Sequence, residues 1–260
     1  MSDRHRAQER WLKAELHAHC SLDPMDYRLS SYSAEELITE SARLGYQVLA
    51  ITCHNLDVWT PDLSEYAAGL GITLIPGMEV TTDAARHILV YNFGTSAENL
   101  KTLRQIRALC RPDTLVVAPH PYFPSRKCLG GRLEHNIEVF DAIEISGFRA
   151  PGLDFNRRAR RLAAAHSKPL VGNGDVHQLW QLGHTFTWIY TEPGIRSILS
   201  AVKQGRVRVE STSLSYARVA WFWAKVLGCV IFPSRTERDE RDRQFLPAPA
   251  PKGSESESSG

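Results

Sequence analysis

Short apolar, partly β-branched runs alternate with helix-like segments along most of this chain, and nearly every run ends in a histidine or a carboxylate. Strands separated by helical stretches point to βα units and a parallel sheet or barrel. In such folds the carboxyl ends of the strands gather at one mouth, so residues far apart in sequence can meet there. Nine of the ten histidines follow position 15, and six of them (His17, His19, His54, His87, His120 and His177) adjoin these runs together with well-placed acids. Imidazole and carboxylate bind zinc, manganese or iron while leaving positions open for water and substrate. That distribution is hard to assign to core packing and points to a metalloenzyme.

The alternation predicts strands at 11–16, 48–52, 72–75, 88–93, 115–118, 142–145, 169–171, 185–190 and 207–209. Helices are predicted at 34–45, where Ser33 and Glu36 form a capping box and Gly45 a stop, and at 97–109, 154–166 and 194–203. His17, His19, His54, Glu79, His120, Asp175 and His177 all fall just past predicted strand ends. His17 and His19 share one side of a strand, because strand side chains repeat every second residue. Asp175 and His177 do the same if they remain in a strand, and diverge if they have entered a loop. One ion needs three or four protein ligands, and this set offers about twice that. A two- or three-metal centre bridged by a carboxylate such as Glu79 follows.

The 260 residues suit one large α/β domain or two small ones, and a net charge of +2 implies no global field for nucleic acid or membrane. The five cysteines form no CxxC pair, so no disulfide framework or zinc finger follows from them, and the reducing cytoplasm is the expected compartment. The N-terminus lacks the apolar core of a signal peptide. The run from Arg157 to Arg161 reads as a solvated helix face before it reads as a nucleic-acid grip.

Taken in order, ELHAHCSLDP, AITCHN, the GME of IPGMEV, RHILVYNF, APHP and GDVH resemble the PHP (polymerase and histidinol phosphatase) family across residues 12–190. The resemblance implies a distorted (β/α)7 barrel and hydrolysis of phosphate esters at a trinuclear centre of zinc, manganese or iron. It implies that His17, His19, Glu79 and Asp175 hold a first ion, and that Glu79 bridges to a second held by His87 and His120. His54, His177 and an acid of the first motif would hold a third. That acid is expected to be Asp23, with Asp26 as the alternative, since the family's acid lies slightly further along. This chain also departs from the family's T-D-H, reading Thr52-Cys53-His54, so a thiol replaces an outer carboxylate.

The chain is thus expected to hold a PHP-type phosphoesterase domain over 11–210, an aromatic helix over 211–233 and a disordered tail over 234–260. Glu79, Asp175 and His120 are the expected catalytic groups. Arg126 and Arg149, with Lys127 as a further choice, are placed by location to orient a phosphate oxygen. Two or three divalent ions serve as cofactors, and the substrate is a small phosphomonoester, a nucleotide or an oligonucleotide end. The segment 216–232 is expected to pack on the domain with most of its large apolar side chains buried, the alternative being contact with a membrane surface. A rival from another class is a catalytically decayed PHP domain whose metal site is structural and whose aromatic segment binds a partner.

Overall fold

In a computed structural model of the chain, residues 8–231 are described. The expected tail over 234–260 lies outside them. The order is β1 (Arg10–Ala18), α1 (Ala34–Arg43), β2 (Val48–Ile51), α2 (Pro61–Gly69), β3 (Thr73–Ile75), β4 (Gly77–Thr81), β5 (His87–Tyr91), α3 (Leu103–Leu109), β6 (Leu115–Ala118), α4 (Arg132–His135), β7 (Ala142–Ser146), α5 (Arg157–Ala165), β8 (Leu170–Asn173), β9 (Thr185–Thr191), α6 (Ile195–Lys203), β10 (Val207–Ser211) and α7 (Tyr216–Ile231).

The strands form two five-stranded sheets, in the orders β10-β9-β1-β2-β3 and β4-β5-β6-β7-β8. The α/β expectation is met, but among the described residues no ladder closes the strands into a barrel. Pairing is parallel along β1-β2-β3 and β6-β7-β8, and antiparallel at β9, at β10 and through β4-β5-β6.

The sheets abut along two seams. At one, the single bridges His54↔Glu79 and Asn55 N to Glu79 O (2.9 Å) join the end of β2 to β4. At the other, Ala18↔Val176 is the isolated bridge, and the Thr187 hydroxyl takes the place of a ladder by accepting from Gly172 N (2.8 Å) and donating to Gly172 O (2.9 Å). A Cβ at Gly172 would lie 2.5 Å from Val209 Cγ1 and 3.1 Å from Thr185 Cγ2. Gly172→Ala is therefore expected to destabilise by about 1–3 kcal/mol through overpacking. Thermal unfolding checks this, and Val209→Ala in the same chain should restore part of the loss.

Most strands run nearly fully buried, β10 being the exception, with Leu12, Ala14 and Leu16 of β1 in one cluster with Val48, Leu89, Val117, Ile189 and Ile198. Two local corrections concern helices. The stretch predicted as one helix over 97–109 is a short 3-10 turn followed by α3, because Thr102 caps a new helix in a capping box with Gln105. And α2, absent from the sequence reading, starts at Pro61 with the Thr60 hydroxyl accepting from Leu63 N (3.1 Å).

α7 is the helix expected over the aromatic segment, but Tyr216, Trp221, Trp223 and Leu227 are each more than a third exposed. Phe222 and Val226 turn inward, and Trp223 lines the cavity with them while remaining part-exposed. The expectation of general burial fails because this helix covers a cavity mouth instead of a wall of the domain. No helix among the described residues is long and apolar enough to cross a membrane.

Candidate metal centre

Strand alternation fixes the first group. Glu15, His17 and His19 lie two apart on one face at the end of β1, all fully buried. His54 follows β2, and His120 and Asp175 follow β6 and β8. His120 (φ 27°) and Asp175 (φ 48°) adopt left-handed backbone that non-glycine residues rarely take, which aims their side chains back toward the strand ends. Glu79 is not past a strand end as expected. It sits in the middle of β4, because the chain turns at Pro76 and resumes as a strand whose partner β5 brings His87 opposite Thr81.

Glu79 is the hub. Its Oε2 lies 3.2 Å from His17 Nε2, 3.5 Å from His19 Nε2 and 3.2 Å from His54 Nε2. Its Oε1 lies 2.8 Å from His87 Nδ1 and 3.3 Å from His120 Nε2. Asp175 closes the other side, with Oδ1 3.4 Å from His17 Nε2 and 3.3 Å from His19 Nε2. Four triads in this cluster have ligand atoms within 4.8 Å of one another: His17–Glu79–His120, His17–His19–Asp175, His19–Asp23–His54 and His54–Glu79–His87.

Asp23 and Asp26 divide the work differently from expectation. Asp23 is buried behind the cluster, its Oδ2 2.7 Å from His19 Nδ1 and 3.0 Å from His54 Nδ1, while its Oδ1 accepts from Met25 N and Asp26 N at 2.8 Å each. This Asx turn around Pro24 points its carboxylate inward. Asp26 is the acid that meets His177 Nε2 (3.1 Å) and lines the cavity, with His54 Nδ1 3.7 Å away. Asp23 thus reaches His54 but not His177. β8 has ended at Asn173, yet Asp175 Oδ1 stays 3.5 Å from His177 Nδ1 while His177 Nε2 turns to Asp26, and the His177 ring stacks on His19 with centroids 4.3 Å apart.

Two supporting acids escaped the sequence reading. Glu144, a lone charge in the buried strand β7, accepts from His17 Nδ1 (2.9 Å), His120 N (3.0 Å) and Asn173 Nδ2 (2.9 Å). Glu15 accepts from His17 N (3.0 Å) and Gly174 N (3.0 Å). The signals were the two-residue period from Glu15 through His19 and the acid within Ala142-Ile143-Glu144-Ile145-Ser146. Of the expected phosphate-orienting cations, Arg126 is exposed and neither it nor Arg149 lines the cavity; Lys127 does. The Arg126 carbonyl accepts from Arg86, and the backbone of Arg149 is tied to Gly147 and Leu214.

Burial alone would raise the pKa of Glu79, but His87, His17 and His54 outweigh it and hold the carboxyl well below its ordinary range. Asp175 is held down in the same way, against burial, by His17 and His177. Burial lowers the affinity of His17 for a proton, yet Asp175, Glu144 and Glu79 outweigh it, leaving the pKa well above the ordinary value. Burial pushes the Glu15 carboxyl well up, against the hydrogen bonds it accepts from His17 and Gly174. The Cys53 thiol is raised too, first by Cys20, whose Sγ lies 3.6 Å away, and then by burial.

The donor set fits divalent cations. His19 Nε2, His87 Nε2 and Asp175 Oδ1 are buried and lack any hydrogen-bond partner among the described residues, and two of them, His19 Nε2 and Asp175 Oδ1, face each other across 3.3 Å inside the cluster. Orphaned polar atoms of this kind cost about 1–3 kcal/mol each unless something satisfies them. Nδ1 atoms bound to carboxylates with Nε2 atoms facing inward are the arrangement that orients imidazole ligands. On that ground Glu144→Ala is expected to lower metal affinity by roughly 10–100-fold. Chelator competition measures it, and unaltered affinity would remove Glu144 from the supporting role.

A model of the PHP-associated family matches residues 154–207, the stretch from just before α5 into β10. Over that stretch the chain is similar to the PHP-associated family. Among relatives, the uncharacterized protein MJ1587 of Methanocaldococcus jannaschii is 25% identical over 146 residues, 52% of this chain and 85% of its own length. The crystal structure of PsfC from Pseudomonas syringae superposes with a TM-score of 0.55 at 16% identity, covering 91% of this chain and 100% of PsfC, which shows a shared fold. An amidohydrolase from Chromobacterium violaceum, solved with bound sulfate and no metal, gives a TM-score of 0.49 at 16% identity over 75% of this chain and 97% of that protein.

Proposed function

We propose that this chain is a metal-dependent hydrolase of phosphate esters. The observation that carries the reading is Glu79: one buried carboxylate divides its two oxygens between five imidazoles, as a bridge between two cations requires. His17, His19, Asp175 and Glu79 would hold one ion, and His87, His120 and Glu79 a second. His54, His177 and Asp26 would hold a third, with Asp23 fixing His19 and His54 from behind. In finer terms the fold is a distorted (β/α)7 barrel opened at its two seams.

Divalent ions there would supply Lewis-acid charge to the phosphoryl oxygens and bring the pKa of a water close to neutrality. The protein's own groups do the rest. Asp175, half-buried and lining the cavity, would take the proton from an attacking water on the oxygen not turned to His17 and His19. His120 Nε2 stands 3.3 Å from Glu79 Oε1 and orients that carboxylate, while Lys127 meets a phosphoryl oxygen as a point charge.

Elemental analysis run beside a panel of chromogenic phosphomonoesters and phosphodiesters tests the reading. Two or three ions per chain, with turnover lost on chelation and restored by manganese, zinc or iron, are expected. Tightly held metal without turnover of any ester would favour a decayed domain with a structural centre, the reading to which Cys53 in place of the family's acid lends weight.

A further inference from the structure

We propose that α7 sets substrate specificity, its Phe222–Trp223–Val226 stripe holding the apolar, aromatic leaving group of the ester hydrolysed below. The inference rests on the phosphoesterase reading and adds to it the class of alcohol released.

The cavity above the histidines has a volume of about 510 Å³, well beyond a phosphoryl group and within the range of small-molecule sites. Its floor is made of Glu79, Asp175 and the imidazoles of His54, His87, His120 and His177, while its walls and roof are Leu29, Phe123, Phe148, Phe222, Trp223 and Val226. Lys127 is the lone basic side chain lining it, among the described residues. A polar, polyanionic substrate would meet a single cation there and a wall of carbon. An ester whose phosphoryl end is met by the floor and whose alcohol is a flat ring matches both halves.

The roof is built, not draped. The Trp223 ring lies nearly parallel to Phe123 (centroids 6.2 Å, 10°) and edge-on to Phe148 (5.8 Å). Phe222 packs on Phe148 (5.4 Å) and reaches the His177 ring (6.2 Å). Aromatic residues from α7, from the loop after β6 and from the loop after β7 therefore form one arch beside the metal ligands. Polar ties hold the helix in place: Lys225 Nζ donates to Leu29 O (3.2 Å), Arg28 Nη1 to Cys229 O (3.1 Å) and the Tyr216 hydroxyl to Pro151 O (2.6 Å). These bonds commit the Lys225 ammonium to a backbone carbonyl. Trp223 still stands 46% exposed while lining the cavity. A large apolar surface left open beside ligating groups is what an apolar ligand would cover.

Phenylphosphonate and methylphosphonate, which resist hydrolysis, separate roof from floor in the metal-loaded full chain by titration calorimetry. The phenyl compound is expected to bind roughly tenfold tighter, for burial of one ring against the arch. Phe222→Ala and Trp223→Ala should each shrink that ratio several-fold with methylphosphonate affinity unchanged. Phe222→Leu, which keeps α7 packed, should shrink it partly. Trp221→Ala, on the outward face, should leave it as in the parent. Equal binding of the two compounds, or no binding of either, overturns the proposal. The two readings fail separately: a phenyl preference without ester turnover leaves the roof standing and removes the phosphoesterase. Turnover without preference does the reverse.

Discussion

Glu79→Gln is expected to lower turnover by roughly 10³-fold or more, about 4 kcal/mol of transition-state stabilisation, in the metal-supplemented enzyme. The substitution keeps the shape but replaces one charged oxygen by an amide nitrogen, which cannot ligate a cation. Either Oε1, facing His87 and His120, or Oε2, facing His17, His19 and His54, must then give way. Both ions that share the bridge are affected at once. His54→Asn removes one imidazole and leaves the bridge and its other four neighbours, so its loss should be smaller by an order of magnitude or more. Metal content of both variants, measured with kcat, separates loss of ions from loss of alignment. Equal losses with occupancy retained would tell against Glu79 as the bridge.

Much of this site is legible in the sequence because its ligands follow local rules. His17-Ala18-His19 puts both rings on one face by strand geometry alone, and short apolar runs mark where β2, β6 and β8 end. What stayed hidden depends on contacts between distant segments. Pro76-Gly77 reads as a stop, yet Glu79 lies inside β4, since a seam with the end of β2 and an antiparallel partner in β5 extend the chain there. Spacing could not choose between Asp23 and Asp26, as an Asx turn at Pro24 reverses which of them faces His177. No ladder closes the strands at Gly172, where a threonine hydroxyl bonds in its place. Amphipathicity identifies α7 as a helix but not its location, which depends on Phe123 and Phe148 more than sixty residues earlier.

Loading the apo protein with manganese or zinc should raise its melting temperature, and raise it more at pH 8 than at pH 6. An ion present at about a thousand times its Kd stabilises by roughly 4 kcal/mol, which corresponds to about 8–16 °C for a domain of this size. The sign of the pH effect follows from the buried groups. His17 and His120 are held well above the ordinary imidazole pKa, and His19 and His54 are also raised: burial opposes this, and the neighbouring carboxylates and, for His120, Cys128 overcome it. In metal-free protein their contribution is complete below about pH 6.5 and fades as pH rises through the elevated folded values. Glu79, Asp175 and Asp23 are depressed against burial by the imidazoles around them. They stay ionised throughout this window and lose their contribution only as pH falls through their lowered values. Rising pH thus strips protons from the imidazoles and leaves buried carboxylates facing one another. His87, lowered chiefly by burial, gives up its proton before the others as pH rises. Metal and protons compete for the same nitrogens, so the ions bind better as the protons leave and stabilise most where the apo protein is weakest. Thermal unfolding of apo and loaded protein across pH 6–8 measures the difference. A metal-induced shift that is flat or shrinks toward pH 8 would mean that these imidazoles are not the ligands.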